Sequence, residues 1–226
     1  MTSIYQRLLG EQFHKLHPRI QERFGFSSED RIASIGYGEM QTMWYSKLAA
    51  MPLYIGTFRH IMFPQGGSGI PFTIENYAYR DRFGRETVTW VRKFQFPRKV
   101  QQFDATMIYS EQRSRIVDYL GNKQHLAVDL DVAVADNGGI IIRSGEQRFY
   151  EGLLQFRFPQ KLTGTAEVCE WYDDDEERFH IKVDVRSPLI GPVFRYKGAF
   201  QADFRTVSAK AAIPVGVRPL REEARE

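Results

Sequence analysis

The sequence predicts a mainly β fold of the α+β class: an antiparallel meander that closes into a barrel or a strongly curved sheet, with short helices before it and a helical insert near its start. Two observations carry this. From Ile70 onward, apolar residues recur at alternate positions between turn signals at 82–84, 97–98, 121–122, 136–139, 173–177 and 191–192, which divides the stretch into about nine strands. The chain also has no long C-terminal helix of the kind a helix-grip fold lays across its sheet, and a meander of this length removes its exposed edges by closing on itself.

In residues 1–24, Tyr5, Leu8, Leu9, Phe13, Leu16, Ile20 and Phe24 recur at three- and four-residue intervals, the period of an amphipathic helix. Pro18 divides this stretch, because proline suits the first turn of a helix and breaks its middle. One helix is expected to end near Leu16, a second to start at Pro18, and Gly25 to stop it. Residues 31–45 read as a strand interrupted by Gly36 and Gly38, 46–62 as weakly helical and 64–69 as a glycine-rich loop. A helical insert between the first strand and the rest resembles the layout of intracellular lipid-binding barrels. Among the later strands, Leu126, Val128, Leu130, Val132 and Val134 share a face opposite Asp129 and Asp131. Phe179, Ile181, Val183 and Val185 share one opposite His180, Lys182, Asp184 and Arg186. Strands of this kind rest one face on a core.

The 226 residues are enough for one domain to bury a full core, and no composition shift marks a boundary within 1–213. The proline- and charge-rich tail, 214–226, is expected to be poorly ordered. Lys and Arg total 31 against 28 Asp and Glu, a formal charge of +3, which supplies little of the field that nucleic-acid binders carry. The single cysteine, Cys169, excludes an intrachain disulfide and any multi-thiolate metal site. With no apolar run of signal-peptide or membrane-spanning length, the expected location is the cytoplasm.

On the strand 86–96, Val88, Trp90, Arg92, Phe94 and Phe96 share a face, so Arg92 looks into the core with its apolar neighbours. A guanidinium so placed needs a carboxylate or a ligand anion. Asp118, between Ile116 and Leu120, and Glu170, between Val168 and Tyr172, also lie on apolar faces. The predicted ligand site is therefore Arg92, Asp118 and Glu170 around a polar head group, with Trp90, Phe94, Tyr172 and Tyr196 covering an apolar body. The competing explanation is an internal salt-bridge network with no ligand, and a cavity beside the cluster separates the two.

No residue is assigned a catalytic or metal-binding role, and no cofactor is implied. His14 and His17 lack a third ligand, and Cys169 lacks an adjacent base. Gly36-Tyr-Gly38 and the 66–69 loop lack the strand–glycine–helix context of a nucleotide site. The basic residues around Phe94 and Phe96 alternate away from those aromatics, and the five acids at 173–177 read as a solvated turn.

The phrases Pro71-Phe-Thr-Ile-Glu-Asn76, Gly84-Arg-Glu-Thr-Val-Thr-Trp-Val-Arg92, Phe103-Asp-Ala-Thr-Met107 and Ile116-Val-Asp-Tyr-Leu-Gly121 resemble an uncharacterised bacterial family, a domain of unknown function. The resemblance runs from about Ser3 to Phe204. Members of that family occur alone or as the C-terminal domain of YndJ-like membrane proteins and saccharopine-dehydrogenase-like reductases. This implies an accessory or binding role beside a membrane protein or a reductase, and it carries no residue roles. The leading expectation is a non-enzymatic domain binding a hydrophobic or amphipathic small molecule. The alternatives are an enzyme using Arg92, Asp118 and Glu170 for general acid–base chemistry, and a structural or protein-interaction module with a filled interior.

Overall fold

The computed structural model describes residues 2–159, 163–206, 213–214 and 216–226. Helix α1 (Ile4–Leu9), a 3-10 segment (Gly10–Lys15) and α2 (Pro18–Gly25) precede β1 (Ile32–Tyr45) and α3 (Ala50–Thr57). Ten more strands follow: β2 (Ile70–Arg80), β3 (Glu86–Phe96), β4 (Lys99–Ser110), β5 (Arg115–Leu120), β6 (Leu126–Val134), β7 (Ile140–Glu151), β8 (Leu154–Arg157), β9 (Thr165–Asp173), β10 (Arg178–Ser187) and β11 (Gly191–Thr206). All the pairings are antiparallel, in the order β6-β5-β4-β3-β2-β1-β11-β10-β9-β7, and β7 pairs again with β6. Ten strands thus close into a barrel, and β8 hangs on β7 as a hairpin arm outside the ring. No helix among the described residues is long and apolar enough to cross a membrane.

The N-terminal segment plugs one end of this barrel. Ser3 and Gln6 form a reciprocal capping box that starts α1. The helix does not run on to Leu16 as its periodicity predicts: Gly10 takes φ 52°, and the chain tightens into the 3-10 segment. Pro18 occupies the first turn of α2, with His17 as the N-cap. Tyr5, Phe13, Leu16, Ile20 and Phe24 all enter the main core, so the apolar stripe survives the change of helix type. The backbone N–H of His17 donates to Gly138 O in the β6–β7 turn at 2.8 Å, which ties the plug to the rim.

Gly36 and Gly38 face the interior of β1, where Phe200 of β11 lies across them. A Cβ on Gly38 would stand 2.1 Å from Ala199 O and 2.6 Å from Phe200 Cα. The β4–β5 turn, 111–114, carries no glycine or proline signal; Ser114 takes φ 51° there and Ser110 Oγ accepts from Arg113 N at 3.1 Å.

The opposite end of the barrel carries the β1–β2 insert. Phe63 packs its ring on Phe94, Phe96 and Phe194, and the backbone of Arg59 and His60 bonds to Asn122 and Asp104. The C-terminal tail departs from its expected disorder: residues 216–226 run along the outer wall. Tyr119 and Tyr150 donate their hydroxyls to the carbonyls of Arg225 and Glu226, and Glu223 N donates to Gln124 Oε1 at 2.6 Å. Val217 covers Ala33, Ile35, Tyr77 and Val91 on the outer face, which buries Val91 of β3 on the side away from the barrel interior.

Candidate functional site

A cavity of about 190 Å³ lies inside the barrel, in the half away from the helical plug. Its walls come from β3 to β7, β9 and β10, with Ile61 and Met62 of the insert above it. The register explains the hollow. Across β3, β4 and β5, Trp90, Ala105 and Leu120 form one row, and the small Ala105 leaves space between two large neighbours. The next row places Val88, Met107 and Asp118 side by side, and Arg92 stands beside Phe103 on the other flank.

Arg92 and Asp118 both line this space and both are under-partnered. Arg92 is 4% exposed and forms no ion pair among the described residues. Its Nε donates to Phe103 O at 3.3 Å and its Nη1 to the Tyr196 hydroxyl at 3.4 Å, and the guanidinium lies 3.8 Å from the centre of the Phe103 ring. Asp118 has a buried Oδ1 with no hydrogen-bond partner. Burial pushes its carboxyl up to about 7, and the attraction of Arg92 only partly opposes that. An unsatisfied carboxyl and an unpaired guanidinium beside one cavity are costly unless something else completes them.

Glu170 has a different partner from the one the sequence suggests. It faces the interior, but its fully buried carboxylate pairs with Arg23 of α2, whose Nη1 also donates to Ser34 Oγ at 2.7 Å. Burial raises the Glu170 pKa, and the Arg23 charge and hydrogen bond act against that. The predicted cluster thus divides into an ion pair beneath the plug and an open pair at the cavity. Between them stands Tyr5 of α1, whose hydroxyl donates to Met107 Sδ at 3.3 Å. Its pKa is raised, first by burial and then by Asp118 and Glu170.

A family model described as Domain of unknown function (DUF4166) matches residues 16–200. The chain belongs to this family. A curated relative, "Uncharacterized protein YndH" of Bacillus subtilis (strain 168), is 35% identical over 206 residues, which cover 91% of this chain and 99% of the relative. No solved structure matches.

Of the seven residues predicted to bind a ligand, Arg92, Asp118 and Trp90 line the cavity. Tyr196 and Phe94 pack together beside them, with Tyr196 on Arg92. Glu170 and Tyr172 sit at the plugged end, where Tyr172 stacks on His17 with ring centres 5.1 Å apart. Sequence reasoning missed Arg23, Phe103 and the two insert residues. The signal for Arg23 was its spacing from Ile20 and Phe24, which puts it on the buried face of α2.

Of the remaining candidates, Asp173, Glu176 and His180 are the one group among the described residues with metal-ligand spacing, their ligand atoms within 4.8 Å of one another. Asp173 Oδ1 already accepts the N–H groups of Asp175 and Glu176, so its carboxylate shapes the hairpin turn. Burial and Glu167 raise the Cys169 thiol pKa, the reverse of what a nucleophile needs.

Proposed function

We propose that this barrel binds a small amphipathic molecule in its interior, with an anionic or strongly accepting head group on Arg92 and an apolar body against Trp90, Met107 and Leu120. One observation carries this: an apolar-walled cavity holds a guanidinium without an ion-pair partner beside a carboxyl with an unsatisfied oxygen. With Asp118 mostly protonated below neutrality, the local charge is that of Arg92, which favours an anion. The volume limits the ligand's size. Cavities of roughly 150 Å³ accommodate a benzene ring, so about 190 Å³ fits a ring or a short branched chain while the insert stays closed. The accessory role that the family resemblance implies, beside a membrane protein or a reductase, is compatible with carrying such a molecule.

Native mass spectrometry of the purified chain, followed by organic extraction, tests this. The expected result is a stoichiometric small mass that is lost in Arg92→Met. A clean apo mass, together with no binding from a panel of short-chain carboxylates and phosphates, would make Arg92 and Asp118 internal wiring.

A second reading is enzymatic, favoured by the Asp118 carboxyl near 7 beside open space: Asp118 exchanges a proton with the ligand and Arg92 holds the negative charge that develops. It excludes Glu170, which Arg23 engages. Conversion of an extracted ligand by the parent and not by Asp118→Asn would favour it over simple binding.

A further inference from the structure

The barrel end beside the cavity differs in surface chemistry from the rest of the molecule. Most of the exposed large hydrophobic side chains among the described residues lie at or beside it, Leu220 included through its N–H to Asn122 O in the β5–β6 turn, whereas Tyr37 and Phe83 lie elsewhere. Helix α3 is apolar on nearly every side, yet buries only Leu53. Met51, Tyr54, Ile55 and Phe58 project into solvent, Met51 with 77% exposure. A helix that is hydrophobic all round belongs in an apolar medium, and nothing among the described residues supplies one for α3. Leu189 in the β10–β11 turn and Leu153 in the β7–β8 turn continue the same surface around the rim, 70% and 102% exposed. Three loops far apart in sequence thus bring apolar tips to one end.

The free charges at this end are mainly cationic. Lys47, Arg59, Arg98 and Lys99 are exposed and form no ion pair among the described residues. Of the nearby acids, Asp104 is engaged by His60, Glu151 by Arg221, and Asp184 by Arg186 and Arg195, while Glu39 beside Gly69 forms no ion pair among the described residues. The plugged end carries exposed charges of both signs, Glu11, Asp136, Asp175 and Glu177 beside Lys15, Arg31 and Arg178.

We propose that the rim formed by α3 and the β7–β8 and β10–β11 turns docks on an anionic phospholipid bilayer. The apolar tips enter the interfacial layer and the four cations meet the head-group phosphates. Protruding apolar side chains flanked by unpaired cations match that surface chemically. Docking puts the cavity, capped by Ile61 and Met62, against the source of an amphipathic molecule. The proposal stands on the rim alone and does not require the ligand reading.

Co-sedimentation of the full chain with phosphatidylcholine vesicles, with and without about one-third phosphatidylglycerol, tests it. The expected result is partition onto the anionic vesicles that weakens as salt rises from about 0.05 to 0.5 M. A combined Met51→Ser, Ile55→Ser, Phe58→Ser variant changes only exposed positions and lowers that partition about tenfold or more. Lys47→Glu with Lys99→Glu lowers binding to anionic vesicles and leaves binding to neutral ones unchanged. Arg92→Met binds vesicles like the parent, so a failed ligand reading leaves this test intact. No partition onto anionic vesicles at low salt, or equal partition by the triple serine variant, overturns the proposal. A vesicle-free dimer that the serine variant abolishes also overturns it, and assigns the rim to self-association.

Discussion

Asp118 and Glu170 show how two carboxylates on similar apolar strand faces acquire different roles from what reaches them. Glu170 is met by Arg23, and removing that partner with Arg23→Met strands a buried charge at a cost of about 3–5 kcal/mol. Arg92→Met removes no ion pair and is expected to cost much less, so urea unfolding of the two variants should differ by about 2 kcal/mol or more. Equal losses would mean that Arg92 carries structural weight comparable to Arg23. Asp118 has a folded-state pKa of about 7, above its unfolded value. Below about pH 4 both states are protonated; between there and pH 7 only the unfolded chain ionises, so native stability falls across that window and then levels off. Asp118→Asn removes the penalty. At pH 8 it should be more stable than the parent by up to roughly 4 kcal/mol, with little difference at pH 4. The same gain at both pH values would show that Asp118 ionises normally. A residue that destabilises its own fold at neutral pH is the kind retained for a site. Alternation along β3, β5 and β9 was enough to place Arg92, Asp118 and Glu170 inside. Their pairing was not legible, because Arg23 lies 147 residues from Glu170 and no local pattern links a helix to a strand over that distance.

At the scale of elements, the sequence was most readable where a residue's own backbone chemistry decides the outcome. Pro18 starts α2 as its missing N–H and fixed φ require, and the alternating face of β10 is buried as its pattern demands. It was less readable where tertiary contact decides: residues 216–226 have the composition of a loose tail, yet hydrogen bonds to Tyr119, Tyr150 and Gln124 hold them on the outer wall. The insert is intermediate, since its helical turn was expected but not the outward display of its apolar side chains. Gly36 and Gly38 appeared only as interruptions of β1; the structure gives them a reason in the approach of Phe200. Gly38→Ala cannot be absorbed by a flexible side chain, because the atoms it meets are the backbone of Ala199 and Phe200. Thermal and urea unfolding should show a loss of at least about 2 kcal/mol, with β1–β11 pairing locally spread. A neutral effect would mean that the two strands are farther apart in solution.

For the whole molecule, the first strand pairs with the last, β7 closes on β6, and each of the ten ring strands is held on both edges, with β8 outside the ring. Such a barrel opens as a unit, whereas α3 touches the body mainly through Leu53, Phe63 and the backbone of Arg59 and His60. Amide exchange should divide accordingly. The amides of β1, β3 and β11 exchange only through global unfolding, while those of α3 exchange through local opening orders of magnitude faster. This follows from geometry: the cavity sits behind Ile61 and Met62, so a molecule reaching Arg92 passes where the insert must yield. An occupant that fills the cavity should slow exchange in α3 and in residues 58–63 and leave β1 unchanged, because β1 is already limited by the global step. If α3 proved as protected as β1 in the empty protein, the insert would be a fixed wall, and entry would have to run elsewhere along the cavity lining.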